Sequence, residues 1–250
     1  MKLTFLGTGS AFTQDNYHTN MLLEINGKKL LIDCGSDARF ALNEIGLSYK
    51  DIDAVYISHA HADHVGGLEY LAFCSYFDPS CDRPKLFADE QLMVQLWQNT
   101  LQGGLGSIQD KITKLSDFFV TRPIPKNGTF KFQGVTFRVV QTVHVMNGYT
   151  IVPSYGLIWQ GERKKIFLTT DTQFCPNQIQ TFYNSVDMIF HDCETTPFKS
   201  GVHAHFTDLT TLNEKTKGKM WLTHYADGEK PDAEEAGFAG YVAKGQVFNI

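Results

Sequence analysis

Apolar runs of four to ten residues, broken by glycine and polar turns, divide the chain into short strands. "KLTFLG" opens the sequence. "NMLLEING" and "KKLLIDCG" follow as a hairpin across Asn26-Gly27, a dipeptide suited to positive φ at both central positions. After a mixed helix and loop stretch to about Asp51, the β-branched and aromatic run "DIDAVYIS" leads into His59. Residues 89–102 place Leu92, Leu96, Trp97 and Leu101 near helical spacing, with Gly103-Gly104 as the stop signal. The segment 103–129 is the least regular and reads as an insertion or flap; within it "NGT" at 127–129 reads as a turn. Strands resume from Thr129 as "TFKFQG", "VTFRVVQTVH", "SYGLIWQG" and "KKIFLTTD". A helix near "NQIQTFYN" precedes "VDMIFHD", "KMWLTHY" and a last strand "GQVFNI". Strands in both halves with helices between them predict an α/β fold in which two sheets pack face to face under outer helices. No repeat or linker interrupts residues 1–250, so one domain is expected.

Composition narrows the function. Lys and Arg number 22 against 27 Asp and Glu, and the formal charge of −5 gives no electrostatic grip on a long nucleic-acid backbone. A small anionic substrate stays compatible where positive charge is local, as on a bound metal. The five cysteines are scattered, with no CxxC, which excludes a disulfide framework or thiolate zinc knuckle. "MKLTFLGTGSAF" breaks at glycine too early for a signal peptide or membrane span, so a soluble cytoplasmic protein with no membrane partner is expected. The glycines of "LGTGS" match neither GxGxxG nor a Walker A loop.

Candidate chemistry concentrates in "ISHAHADHVGG", which carries His59, His61, Asp63 and His64 within six positions. Such a cluster of imidazoles has no packing purpose and is costly to bury without a partner. Other ionisable residues follow apolar runs: His144 after "FRVVQTV", Asp171 after "KIFLTT" and His224 after "KMWLT". Strand ends that meet on one rim would gather all seven. Imidazole with carboxylate suits zinc and similar divalent ions, and seven ligands suit two ions with one shared carboxylate. Such a pair, about 3.5–4 Å apart, would hold a bridging water as nucleophile and clamp a phosphoryl or acyl oxygen. The isolated His18 and His191 default to structural roles.

"HAHADH", with "FLGTGSA", "IDCG", "TTDT" and "LTHY" around it, resembles the metallo-β-lactamase superfamily over nearly the whole chain. The resemblance implies an αββα metallo-β-lactamase sandwich. It assigns His59, His61 and His144 to one ion, Asp63, His64 and His224 to the other, and Asp171 as the bridge. The ions would be Zn²⁺, with Mn²⁺ as the alternative. Histidine at position 61, where flavodiiron proteins carry a carboxylate, favours a hydrolase.

"HDCETTPFKSGVHAHF" ahead of "KMWLTHY" is similar to the RNase Z-like phosphodiesterase branch, in which a histidine protonates the leaving oxygen. His203 takes that place by spacing, with His205 as its competitor; Asp192 or Glu194 would orient it. His203, Asp192 and the ligand Asp63 are therefore the candidate catalytic residues. The long tRNA-gripping arm of RNase Z has no counterpart here. The run of motifs is most similar to bacteriophage anti-Pycsar proteins, which degrade cyclic mononucleotide messengers of bacterial immunity. That resemblance implies a 3′,5′-cyclic nucleotide phosphodiesterase, acting on cyclic AMP, GMP, CMP and UMP. Phe118, Phe119, Tyr76 and Tyr155 are candidates to stack on the base. A homodimer is expected, with segment 103–129 reaching the neighbouring subunit. The alternatives are an RNA endonuclease, a lactone or thioester hydrolase, and a non-catalytic nucleotide-sequestering protein.

Overall fold

The chain's strands assemble into two seven-stranded sheets, described here from a computed structural model covering residues 1–250. Strands β1 (Lys2–Phe5), β2 (Met21–Ile25), β3 (Lys28–Ile32), β4 (Ala54–Tyr56) and β5 (Lys85–Asp89) begin the first sheet. A small hairpin, β6 (Ser107–Ile108) and β7 (Lys111–Ile112), precedes β8 (Val120–Ile124). The second sheet holds β9 (Thr129–Phe132), β10 (Val135–Met146), β11 (Ile151–Gln160), β12 (Lys165–Leu168), β13 (Met188–Asp192), β14 (Met220–Thr223) and β15 (Gly240–Tyr241). The last strand, β16 (Val247–Asn249), crosses back to pair antiparallel with β1. The sheet orders are β16-β1-β2-β3-β4-β5-β8 and β15-β14-β13-β12-β11-β10-β9.

Local chemistry sets these connections. Asn26 and Gly27 adopt φ of 51° and 75°, the turn their sequence demands, and hold Leu22 opposite Leu31 across β2 and β3. β3, β4, β5 and β8 run parallel, as do β12 to β15. Parallel strands deliver their C-terminal ends to a common edge, where binding loops collect.

Along β11, Leu157 and Trp159 face the core between the sheets while Ile158 faces the outer layer. The inter-sheet core contains a column of rings, Tyr56 on Phe130 at 5.5 Å and Phe130 on Phe137 at 4.8 Å. A second cluster, including Phe167, Leu222, Ile179 and Tyr183, packs the helix Pro176–Asn184 onto the other face of the second sheet.

Two sequence expectations are corrected. The helix expected to stop at Gly103-Gly104 runs on: Glu90–Gln95, a wider π-helical turn Leu96–Leu101, then Gln102–Leu105. Gly104 lies beside the Glu69 carboxylate of the neighbouring helix Leu68–Phe77, a flexible side chain that can move aside. The segment 103–129 is not an irregular flap. It forms the β6–β7 hairpin, the helix Leu115–Phe118 and the strand β8, and it buries Phe118 and Phe119 completely. Phe118 packs 5.1 Å from Tyr76 and 5.8 Å from Phe73, so both phenylalanines are packing residues and not base-stacking ones.

Phe118→Ala is expected to lower stability by about 3–5 kcal/mol, read from the midpoint of chemical denaturation. A midpoint equal to the parent's would contradict the placement of this ring in the core.

Candidate metal centre

Each ligand candidate sits on or just beyond a strand end. Past β4, Ile57 N donates to Phe87 O at 2.9 Å and carries the backbone to His59; His61 precedes the short helix Ala62–Val65, which presents Asp63 and His64. His144 occupies a bulge in β10, where the register against β11 shifts between Val143 and Val145 and re-aims the side chain. Asp171 follows β12 and His224 follows β14. Three non-glycine residues here adopt left-handed backbone: Asp33 (φ 60°), Thr170 (φ 54°) and His224 (φ 63°). Strain of this kind persists where the surrounding structure over-determines it, and it concentrates at functional sites. Gly35 completes the fit: a Cβ there would fall 2.1 Å from Asp63 O.

The seven residues converge. His61 Nδ1 lies 3.1 Å from His59 Nε2 and 3.0 Å from His144 Nε2. On the other side, His64 Nε2 is 3.1 Å and His224 Nε2 3.3 Å from Asp63 Oδ2. Asp171 lies between the groups, with Oδ2 3.6 Å from His59, His144 and His224 Nε2 and Oδ1 3.3 Å from His64 Nε2. Two sets of four ligand atoms result, His59, His61, His144 with Asp171, and Asp63, His64, His224 with Asp171.

The far side of four of the five rings helps explain the aim. His64 Nδ1 donates to Asp33 Oδ2 at 2.8 Å, and His144 Nδ1 donates to Val202 O at 2.9 Å. His59 Nδ1 lies 3.0 Å from Ser58 Oγ, and His224 Nδ1 lies 3.5 Å from Asp192 Oδ1. An imidazole bonded through one nitrogen offers the lone pair of the other, the arrangement typical of metal-ligating histidines. Asp33, fully buried, also accepts from Ser58 N (2.8 Å) and Ser58 Oγ (2.7 Å). The sequence reading passed over Asp33 as part of "IDCG". Its signal was a carboxylate closing an apolar strand, the same signal that marked Asp171.

Electrostatics inside the cluster are opposed. Burial drives His59 well below its ordinary pKa, aided by His64; burial works against charge on His64 too, but Asp171, Asp63 and Asp33 override it and raise its pKa. Burial would raise Asp63 and Asp171, yet the neighbouring imidazoles hold both below the carboxylate range. His64 Nε2 is buried with no aligned hydrogen-bond partner, and imidazole nitrogens face one another within hydrogen-bonding distance. The N-to-N spacings approach the ~3.3 Å edge of a tetrahedral shell with bonds of ~2.0–2.1 Å. Facing acceptors at these spacings, all but His61 buried, fit divalent cations.

His203 borders the cluster, its ring centroid 4.7 Å from that of His224 and 5.1 Å from that of His144. Its Nδ1 donates to Asp192 Oδ2 at 2.8 Å, and the same oxygen accepts from Thr172 N at 2.8 Å. Burial disfavours the imidazolium of His203, but Asp192 outweighs it and the net shift is upward. The competitors are engaged elsewhere. His205 donates from Nε2 to Thr196 O (2.9 Å) and caps the helix Phe206–Leu209, while Glu194 Oε2 accepts from Ser200 N (2.9 Å) and shapes the loop. His18 pairs with Asp37, and His191 is bound between Tyr183 Oη and the Asp192 carbonyl; neither joins the cluster.

The architecture is that of the metallo-β-lactamase fold. The solved structure of the metallo-β-lactamase fold protein YhfI from Bacillus subtilis superposes with a TM-score of 0.75 at 17% identity, covering 99% of this chain and 98% of the other. A family model for "Anti-Pycsar protein Apyc1" matches residues 1–248, and the chain belongs to that family. An anti-Pycsar protein Apyc1 from Paenibacillus harenae is 41% identical over 229 residues, 91% of this chain and 90% of the relative. One from Bacillus phage vB_BveM-Goe7 is 33% identical over 257 residues, covering 98% and 96%. No helix is long and apolar enough to cross a membrane.

Asp33→Ala is expected to weaken zinc binding by about 10–100-fold in chelator competition, because His64 loses the bond that aims it. An unchanged affinity would mean that the bond does not orient the ligand.

Proposed function

We propose that this protein hydrolyses 3′,5′-cyclic mononucleotides to linear monophosphates, and so removes a cyclic-nucleotide signal of bacterial immunity. The observation that supports this reading most is His203, held on Asp192 beside two sets of divalent-ion ligands. His59, His61, His144 and Asp171 would hold one ion; Asp63, His64, His224 and Asp171 the other. Bound there, two such ions would supply an activated water and offset charge on the phosphoryl oxygens. Everything else falls to the chain. Asp192 keeps Nδ1 of His203 protonated and the ring fixed, so Nε2 is the atom that gives its proton to the departing ribose oxygen. The carboxylate also favours the charged ring, as a general acid requires at neutral pH. A thioester would need no such acid, since a thiolate departs unprotonated, whereas the ribose alkoxide leaving a phosphodiester gains from one. Family membership agrees with the phosphodiester reading, since the matched relatives are anti-Pycsar proteins.

The test incubates metal-loaded protein separately with cyclic AMP, GMP, CMP and UMP and follows linear monophosphate by chromatography. His203→Ala is expected to lose about 10²–10⁴-fold in turnover while its ions remain bound. Full turnover by that variant would remove His203 from the mechanism. Intact cyclic nucleotide recovered from a stable complex would indicate sequestration, and cleavage of structured RNA alone would indicate an endonuclease.

The pH dependence has a definite sign. Turnover that needs protonated His203 falls as pH rises through its raised pKa. Asp192→Asn removes the charge that favours the imidazolium, so the alkaline limb of the kcat profile is expected to move to lower pH. A limb that stays in place would contradict the pairing.

A further inference from the structure

Beside the turn that carries His59 and His61 lies a cavity of about 200 Å³ that the chemistry above does not use. Ala60, between His59 and His61, lines it, and Tyr155 at its floor is tied to the same turn through Tyr155 N donating to Ser58 O at 3.0 Å. Gln91, Gln95, Gln141 and Lys126 line it, together with Ile151 and Val152. Ile151 and Val152 are 44% and 41% exposed, large apolar surface left open to solvent. Asp89, also in the wall, is already committed, its carboxylate accepting from Gln91 N at 3.0 Å as a helix cap. The three glutamine amides and the Lys126 ammonium make no side-chain hydrogen bond or ion pair within the chain, so their donors and acceptors remain available to a ligand.

We infer that this cavity receives the nucleobase of the substrate; the inference rests on the cyclic-nucleotide reading of the adjoining site. A mononucleotide held by its phosphate at the cluster extends its base to one side, and Ala60 makes this cavity contiguous with the ligand turn. A single water needs ~10–15 Å³ measured in the same way, so the space accommodates a flat heterocycle. The chemistry also suits a base. Each amide offers a donor and an acceptor and exchanges them by rotation, so the same three side chains can meet the edge of a purine or a pyrimidine. The aliphatic faces of Ile151 and Val152 meet the ring surface, which every base shares. The pocket therefore favours bases as a class over any one base.

The experiment compares the metal-loaded full chain with Gln95→Trp, which fills the cavity from an exposed helix position, and Gln141→Ala, which empties one wall. Substrates are cyclic AMP, cyclic CMP and bis(4-nitrophenyl) phosphate, a diester with no nucleobase. The ratio of kcat/KM for cyclic nucleotide to that for bis(4-nitrophenyl) phosphate is expected to fall tenfold or more in Gln95→Trp, mainly through KM, and a few-fold in Gln141→Ala. Parallel loss on all substrates, or an unchanged ratio in both variants, overturns the pocket while leaving the phosphodiesterase reading intact if the parent cleaves cyclic nucleotides. A parent that cleaves bis(4-nitrophenyl) phosphate but no cyclic nucleotide overturns that reading and the pocket with it.

Discussion

The structure depends on placing five imidazoles and two carboxylates within a few ångströms of one another in a mostly buried space. Without cations the arrangement is frustrated: His59 is pushed toward neutrality while His64 and His224 are pushed toward charge, and ring nitrogens face each other. The fold resists relaxation by fixing the far side of the rings. Asp33, Val202 O, Ser58 and Asp192 each stand against the outer nitrogen of one histidine. The strained backbone at Asp33, Thr170 and His224, and the absence of a Cβ at Gly35, belong to the same constraint. Two sheets with parallel strand ends at one edge supply the rigidity.

Asp192 links the two halves of the chemistry. One oxygen accepts from His203 and the other stands 3.5 Å from His224 Nδ1, so one buried carboxylate sits between the proposed proton donor and a proposed ion ligand. Position and protonation of His203 are thereby tied to the geometry of the cluster. This economy explains why the neighbouring Glu194 and His205, equally plausible by spacing alone, serve the loop and the following helix.

Much of this was legible in the chain. The "HAHADH" unit and the strand-end positions of Asp171 and His224 are one-dimensional signals, because a strand that ends on an ionisable residue delivers it to the sheet edge. The choice of Asp192 over Glu194 was not legible. Both precede the same loop, and only their hydrogen bonds separate them: His203 and Thr172 on Asp192, Ser200 on Glu194. Asp33 was missed because it acts through His64, thirty-one positions away along the chain. The 103–129 segment misled through composition: glycines and prolines signal irregularity, whereas Gly103 and Gly104 continue the helix and Phe118 and Phe119 fill the core.

The central claim is that two cations sharing Asp171 relieve the frustrated cluster. Its most direct test is the number of zinc ions retained per chain after dialysis, in the parent and in Asp171→Ala. Two ions in the parent, with both sites weakened in the variant, is the predicted result. A parent retaining no more than one ion, or a variant that keeps two at undiminished affinity, would contradict the account.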